Sequence, residues 1–263
     1  MKFQFKINKY YLIGHTIASK NKPFLQWARL ENKIFKKYNK NASYYLLNPS
    51  RGIAWAMAIT QSKFSEQNII PLFEKIGKEI KNIYNDILKT KEFKKLYQEA
   101  EIYLNFIEKQ WSKNKKDALK ELKEITGLKI PNKKFNVFIT HPKNYNGRLL
   151  DQNNIAWGHN EDWKNYATIY LCHELMHAMT KFKNKRIKPE ILHAIIELAT
   201  DEELRIRLNK KGVYFKEGNK KIGHKELMQI KKTILPYWKI FLKQKNKNIE
   251  NFAKKMSSSN ISI

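Results

Sequence analysis

Apolar and polar residues alternate from the first few positions of the chain. Phe3, Phe5 and Ile7 are separated by polar neighbours, which predicts a short strand. The period then becomes that of a helix. Pro23 opens a predicted helix reaching about Lys37, with Phe24, Trp27, Leu30 and Ile34 on one face. A second apolar stripe follows Pro71 and runs through Phe73, Ile76, Ile80, Ile83 and Ile87. Two more helices are predicted, from about Phe93 to Trp111 and from about Lys116 to Ile125. Gly127, with Pro131 shortly after it, has the spacing of a helix stop.

Beyond Gly127 the pattern changes again. Phe135, Val137 and Ile139 alternate within 134–140, which predicts a strand, and His141 to Arg148 is rich in turn formers. Leu149-Leu150 and Ile155-Ala156-Trp157 flank a polar stretch and suggest a hairpin. Asn160 or Asp162 can cap the following helix, expected from about Trp163 to Lys183. Pro189 opens another that reaches about Asn209, and a last one is expected over about Lys225 to Lys243. The Ser/Asn-rich tail from Met256 is expected to fray. These elements predict an α+β fold, predominantly α, with a small mixed sheet. A mainly helical region, 1–127, precedes a second region, 128–263. The boundary is soft, because the first strand can pair with the strand at 134–140.

Composition narrows the class. The 263 residues are 42% hydrophobic and 13% aromatic, values suited to a folded globular chain. The formal net charge is +28, from 52 basic and 24 acidic residues. Lys far outnumbers Arg and is spread from Lys2 to Lys255, whereas specific nucleic-acid binders gather Lys and Arg on one face. A solvated basic surface is therefore the preferred reading, and a basic nucleic-acid-binding protein the alternative. The charge can still steer acidic substrates. A single cysteine, Cys172, excludes an intramolecular disulfide and a Cys-rich zinc finger. With no apolar run of the ~20 residues that span a bilayer, and no signal-peptide pattern in residues 1–20, the expected location is the cytoplasm, without membrane contact.

The chemistry concentrates in His173-Glu174-Leu175-Met176-His177. On a helix, residues four apart share a face, so two imidazoles at this spacing can bind one Zn2+. Glu174 lies beside them, placed to take a proton from an activated water. Tyr170, Leu171, Leu175 and Ala178 make this helix apolar. Burying two histidines and a carboxylate without partners costs on the order of several kcal/mol, a cost that a metal removes. Catalytic zinc takes three protein ligands. Glu197, inside the apolar segment from Ile195 to Thr200, is the candidate third. Asp201, one turn later, can hydrogen-bond a histidine ligand from outside the coordination sphere.

HELMH, followed by Glu197 and then by Asp201 four residues later, resembles the gluzincin metallopeptidases, the thermolysin-like superfamily. The resemblance covers about Asn154 to Asn209. It implies a zincin-like core in 128–263, one zinc ion held by His173, His177 and Glu197, and peptide-bond hydrolysis with Glu174 as general base. It also implies a strand whose edge pairs with the peptide or protein substrate, for which Ile155, Ala156 and Trp157 are the candidates. An oxyanion donor is expected as well, for which His224 and Tyr237 are the candidates, and His193, one turn before Glu197, is a candidate contact to the substrate or to a metal ligand. The spacing after His177 does not supply the metzincin pattern. A zinc-binding protein without turnover is a further alternative, weakened because structural zinc sites usually use Cys. His15, His141, His159 and Cys172 read as core or loop residues.

Overall fold

The computed structural model describes residues 1–18, 84–150, 152–180 and 187–259. The helix expected over 23–37, and the stripe expected after Pro71 as far as residue 83, lie outside them.

A four-stranded mixed sheet organises the described residues. Strand β1 (Lys2–Lys6) pairs in parallel with β2 (Lys134–Ile139), and β2 pairs in parallel with β4 (Asn154–Gly158). Strand β3 (Asn146–Leu149) runs antiparallel to β4 and ends the sheet, whose order is β1-β2-β4-β3. The alternation in the sequence explains the two faces. Phe3, Phe135, Val137, Ile139, Ile155 and Trp157 point into the main core, against helices α2 (Lys91–Thr126) and α3 (Tyr166–Met179). Phe138 and Ala156 point the other way, to Tyr11 of α1 (Lys9–Ala18).

Beneath α3 runs a helical rod made of α4 (Pro189–Glu197), a π-helical stretch (Leu198–Leu204) and α5 (Arg205–Asn209). Residues 194–202 are buried without interruption, so this rod is wrapped on all sides. A small ribbon of β5 (Lys216–Glu217) and β6 (Lys220–Lys221) leads to α6 (Met228–Leu242) and α7 (Ile249–Ser258), which complete the core. The fold is α+β, mostly helical, with a small mixed sheet. No described helix is long and apolar enough to cross a membrane.

Several boundaries differ from the sequence reading, each for a local reason. The two helices expected over 93–111 and 116–125 are one helix of 36 residues. Its apolar positions Tyr103, Ile107, Trp111, Ala118, Leu122 and Ile125 keep one face inward throughout. Thr90 caps its start by accepting from Phe93 N at 3.1 Å, and Gly127, at φ 71°, closes its end. Neither Asn160 nor Asp162 caps α3. The N-cap is Asn165, and the first free amides are taken from elsewhere: Ala167 N–H by Glu161 Oε1 at 3.0 Å and Thr168 N–H by Gln110 Oε1 at 2.9 Å. The tail does not fray at Met256, which is a buried residue of α7.

The strand assigned to the substrate also changes. Ile155, Ala156 and Trp157 lie in β4, which is paired on both sides and has no free edge. Three consecutive apolar residues, buried on both faces of the sheet, mark an interior strand. Among the described residues the terminal strands are β1 and β3, and β3 is the one that packs beside α3. At the far end of β4, Gly158 lies against β2, and a Cβ there would sit 1.9 Å from Thr140 Oγ1 and 2.7 Å from the His141 carbonyl oxygen. Gly158→Ala is expected to destabilise the fold by about 1–3 kcal/mol, the range for overpacking. A urea midpoint unchanged by the substitution would contradict this close packing.

Candidate metal centre

The histidine pair sits where α3 crosses the buried rod. His173 and His177 are one turn apart, and their Nε2 atoms lie 3.0 Å from each other. Tetrahedral zinc with Zn–N bonds of ~2.0–2.1 Å holds its ligand atoms about 3.3 Å apart, close to this separation. Asp201 Oδ1 accepts from His173 Nδ1 at 2.9 Å, and Thr200 Oγ1 lies 2.9 Å from the same oxygen. That contact orients the His173 ring and turns Nε2 toward His177, the arrangement that prepares a ring nitrogen for a cation.

A second wall comes from α4 and the segment before α6. One nitrogen each of His173, His177 and His193 lie within 4.8 Å of one another, and so do ligand atoms of His193, Glu197 and His224. His193 Nε2 is buried, has no hydrogen-bond partner and lies 4.0 Å from Glu197 Oε1. Glu197 is fully buried and held at both oxygens. Oε1 accepts from the His224 backbone N–H at 3.0 Å and from His224 Nδ1 at 2.5 Å; Oε2 lies 2.7 Å from Lys231 Nζ. Lys231 is itself buried and also reaches Glu202 Oε1 at 3.2 Å and the Ile222 carbonyl at 3.1 Å. Gly223 makes this approach possible. It adopts φ 75°, and a Cβ would lie 2.0 Å from Glu197 Oε2.

Charge is the dominant feature here. Among the described residues, four acids are buried: Glu174, Glu197, Asp201 and Glu202. Only two permanent cations, Arg205 and Lys231, are buried with them. Imidazoles facing these acids, His173 above all, share the excess negative charge, and the cluster of His173, His193, Glu197 and His224 is compatible with a metal site.

The ionisation of the histidines follows the same pattern. Burial disfavours His173⁺, but the charge and hydrogen bond of Asp201, with Glu174 and Glu197, outweigh it and push the imidazole up to about 9. Burial, followed by the positive charge on His173, pulls His177 down to about 3 and His193 to about 4. Burial raises Glu174 above the usual carboxylate range, opposed by His173 and by the Leu149 N–H that it accepts. Glu197 is driven down to about 2: burial pushes it up, but His224 and Lys231 outweigh burial.

The cluster opens on a cleft of about 450 Å3, whose walls include His173, Glu174, His177, His193, His224 and strand β3. Tyr237 does not belong to it. Ile234, Trp238 and Phe241 turn α6 into the core, which leaves Tyr237 half exposed on a separate groove beside α7. Cys172 is a buried free thiol, raised to about 12 by burial. His141 pairs with Glu99 at 2.8 Å, away from the cleft.

Sequence reasoning missed Lys231, Glu202, Arg205 and the edge strand β3. The available signals were slight: a Glu and an Arg three apart in an apolar helix, and a Lys between apolar positions Ile230 and Ile234.

The stability of the EDTA-treated protein is expected to peak near pH 6.5. His177 and His193, with lowered values, contribute stability present above about pH 6.5 and lost as pH falls toward 4 and 3. His173, with a raised value, contributes stability present below about 6.5 and lost as pH rises through about 9. Thermal unfolding from pH 5 to 9.5 measures both limbs, and Asp201→Asn should flatten the alkaline one. A midpoint that climbs from pH 6.5 to 9 would contradict the pairing.

The chain matches no protein-family model, no curated protein and no solved structure.

Proposed function

We propose that this chain is a zinc-dependent peptidase of the gluzincin type. The observation that carries the reading is the pair of imidazole nitrogens 3.0 Å apart, beside Glu174 in the wall of an open cleft. The cleft favours catalysis over a structural ion, because structural zinc sites are closed by a fourth protein ligand. The mixed sheet supports the same reading: its edge strand β3 borders the cleft and, among the described residues, has no partner strand on that side, with only the Leu149 N–H already held by Glu174.

His173 and His177 are assigned as two ligands and Glu197 as the third, with Asp201 fixing His173. Glu197 is favoured by its full burial and by the turn that separates it from Asp201. Its Oε1 is occupied by His224, whose side chain is half exposed and can turn aside into the cleft. A second reading gives the third place to His193, whose buried Nε2 has no partner.

When bound, zinc supplies the Lewis acidity that acidifies a water and polarises the scissile carbonyl. Glu174 accepts the proton of that water and returns it to the leaving amine. Its raised value, set by burial, brings it nearer neutrality, where proton transfer in both directions is efficient. His224, turned from Glu197, brings an N–H to the oxygen on which negative charge develops. Asp201 holds His173 in one orientation throughout.

Wild type and Glu174→Gln are expected to carry one zinc per chain by atomic absorption. Hydrolysis of a mixed peptide pool by Glu174→Gln should fall by about 10²-fold or more. His173→Ala and His177→Ala should lose the metal. Of the α4 pair, Glu197→Ala should lose it and His193→Ala should keep it; the reverse outcome would move the third place to His193. Hydrolysis undiminished in Glu174→Gln would remove the general-base assignment.

A further inference from the structure

We propose that Arg148 selects peptides with an acidic side chain at one position beside the scissile bond. The inference rests on the peptidase reading above and adds the substrate class. Arg148 lies inside β3, the last strand of the sheet, which among the described residues pairs only with β4. Its other edge borders the cleft, whose walls include Gly147, Arg148 and Leu149 together with the histidine pair and Glu174. A peptide added along that edge must follow the strand's alternation.

The register determines which substrate residue meets Arg148. Arg148 pairs with Ala156, whose side chain faces α1, whereas Gly147 and Leu149 pair with Trp157 and Ile155, which face α3. Gly147 carries no side chain on the α3 side because the Trp157 ring occupies that place; a Cβ would lie 2.5 Å from it. The substrate residue directly opposite Arg148 therefore has its side chain on the α1 face, with a Cβ separation of about 4.5–5.5 Å. There it meets an exposed guanidinium, whose charge reaches both Glu174 and the buried His15. A carboxylate matches the guanidinium fork with two hydrogen bonds. Chain continues on both sides of Arg148 within the strand, at Asn146–Gly147 and at Leu149, so the carboxylate that fits is that of an internal Asp or Glu.

The test uses the zinc-loaded chain and matched peptides, amidated at the C-terminus, that carry Glu, Gln or Lys at each position around one cleavable bond. Wild type should prefer Glu to Gln by about threefold to fivefold in kcat/KM at a single position, the scale of one cross-strand charge pair. Arg148→Ala should erase that preference and Arg148→Glu should turn it toward Lys, with zinc content unchanged. An acid preference intact in Arg148→Ala would assign it to the overall +28 charge and overturn the inference. Acid recognition seen only with a free C-terminal carboxylate would overturn it as well. If wild type cleaves no peptide, the peptidase reading fails, and anisotropy of the same labelled peptides decides Arg148 separately: equal affinity for Glu and Lys peptides overturns it.

Discussion

A carboxylate taken out of water must find positive charge or give up its own. The interior of this protein is built around that constraint. Four acids are buried on α3 and on the rod beneath it, and two basic side chains reach them from α5 and α6. Lys231 binds Glu197 to Glu202, and Arg205 joins Glu202, Glu217 and the Asp201 carbonyl. Such networks stand only when nearly every lone pair and proton has a partner. The remaining negative charge collects where His173 meets Asp201, and that is the point at which the imidazoles converge.

The packing of apolar residues gives this charge its strength. Ile195, Ile196, Leu198 and Ala199 enclose the rod, and Trp157, Tyr166 and Tyr170 stack toward His173. A low-dielectric wall magnifies each ionic contact, so small displacements carry a large electrostatic penalty. This explains why the start of α3 is fixed so heavily: Gln110 and Glu161 hold the first turn, and Asn165 is tied to Asn114 and Asn209.

Much of this was legible in the chain itself. The His173/His177 spacing, the polar interruptions Glu197 and Asp201, and the alternation of β2 are short-range patterns, and short-range patterns survive in one dimension. The partners of Glu197 were not legible, because Lys231 and His224 come from a segment after the ribbon and nothing local distinguishes them from the many other basic residues. The edge of the sheet was misplaced for a related reason. Ile155 to Trp157 is the more apolar half of the hairpin, and apolarity marks the interior strand, whereas Asn146–Leu149 carries the Gly and Arg that an exposed border tolerates. Asn160 and Asp162 are good caps by composition, yet tertiary acceptors took that role.

The parallel pairing of β1 with β2 has a kinetic meaning. Lys2 lies opposite Lys134, so β1 cannot join the sheet until well over a hundred residues have been brought round to close on themselves, whereas β2, β3 and β4 pair with one another over short separations. Loop closure of that size slows assembly, and parallel ladders spanning such separations mature late. The cleft border, β3, belongs to the opposite end of the sheet and pairs locally with β4, so it does not wait for that closure. During synthesis, the first strand must wait as an unpaired, Phe-rich segment until its partner leaves the ribosome, and in that interval it is most exposed to association with other chains.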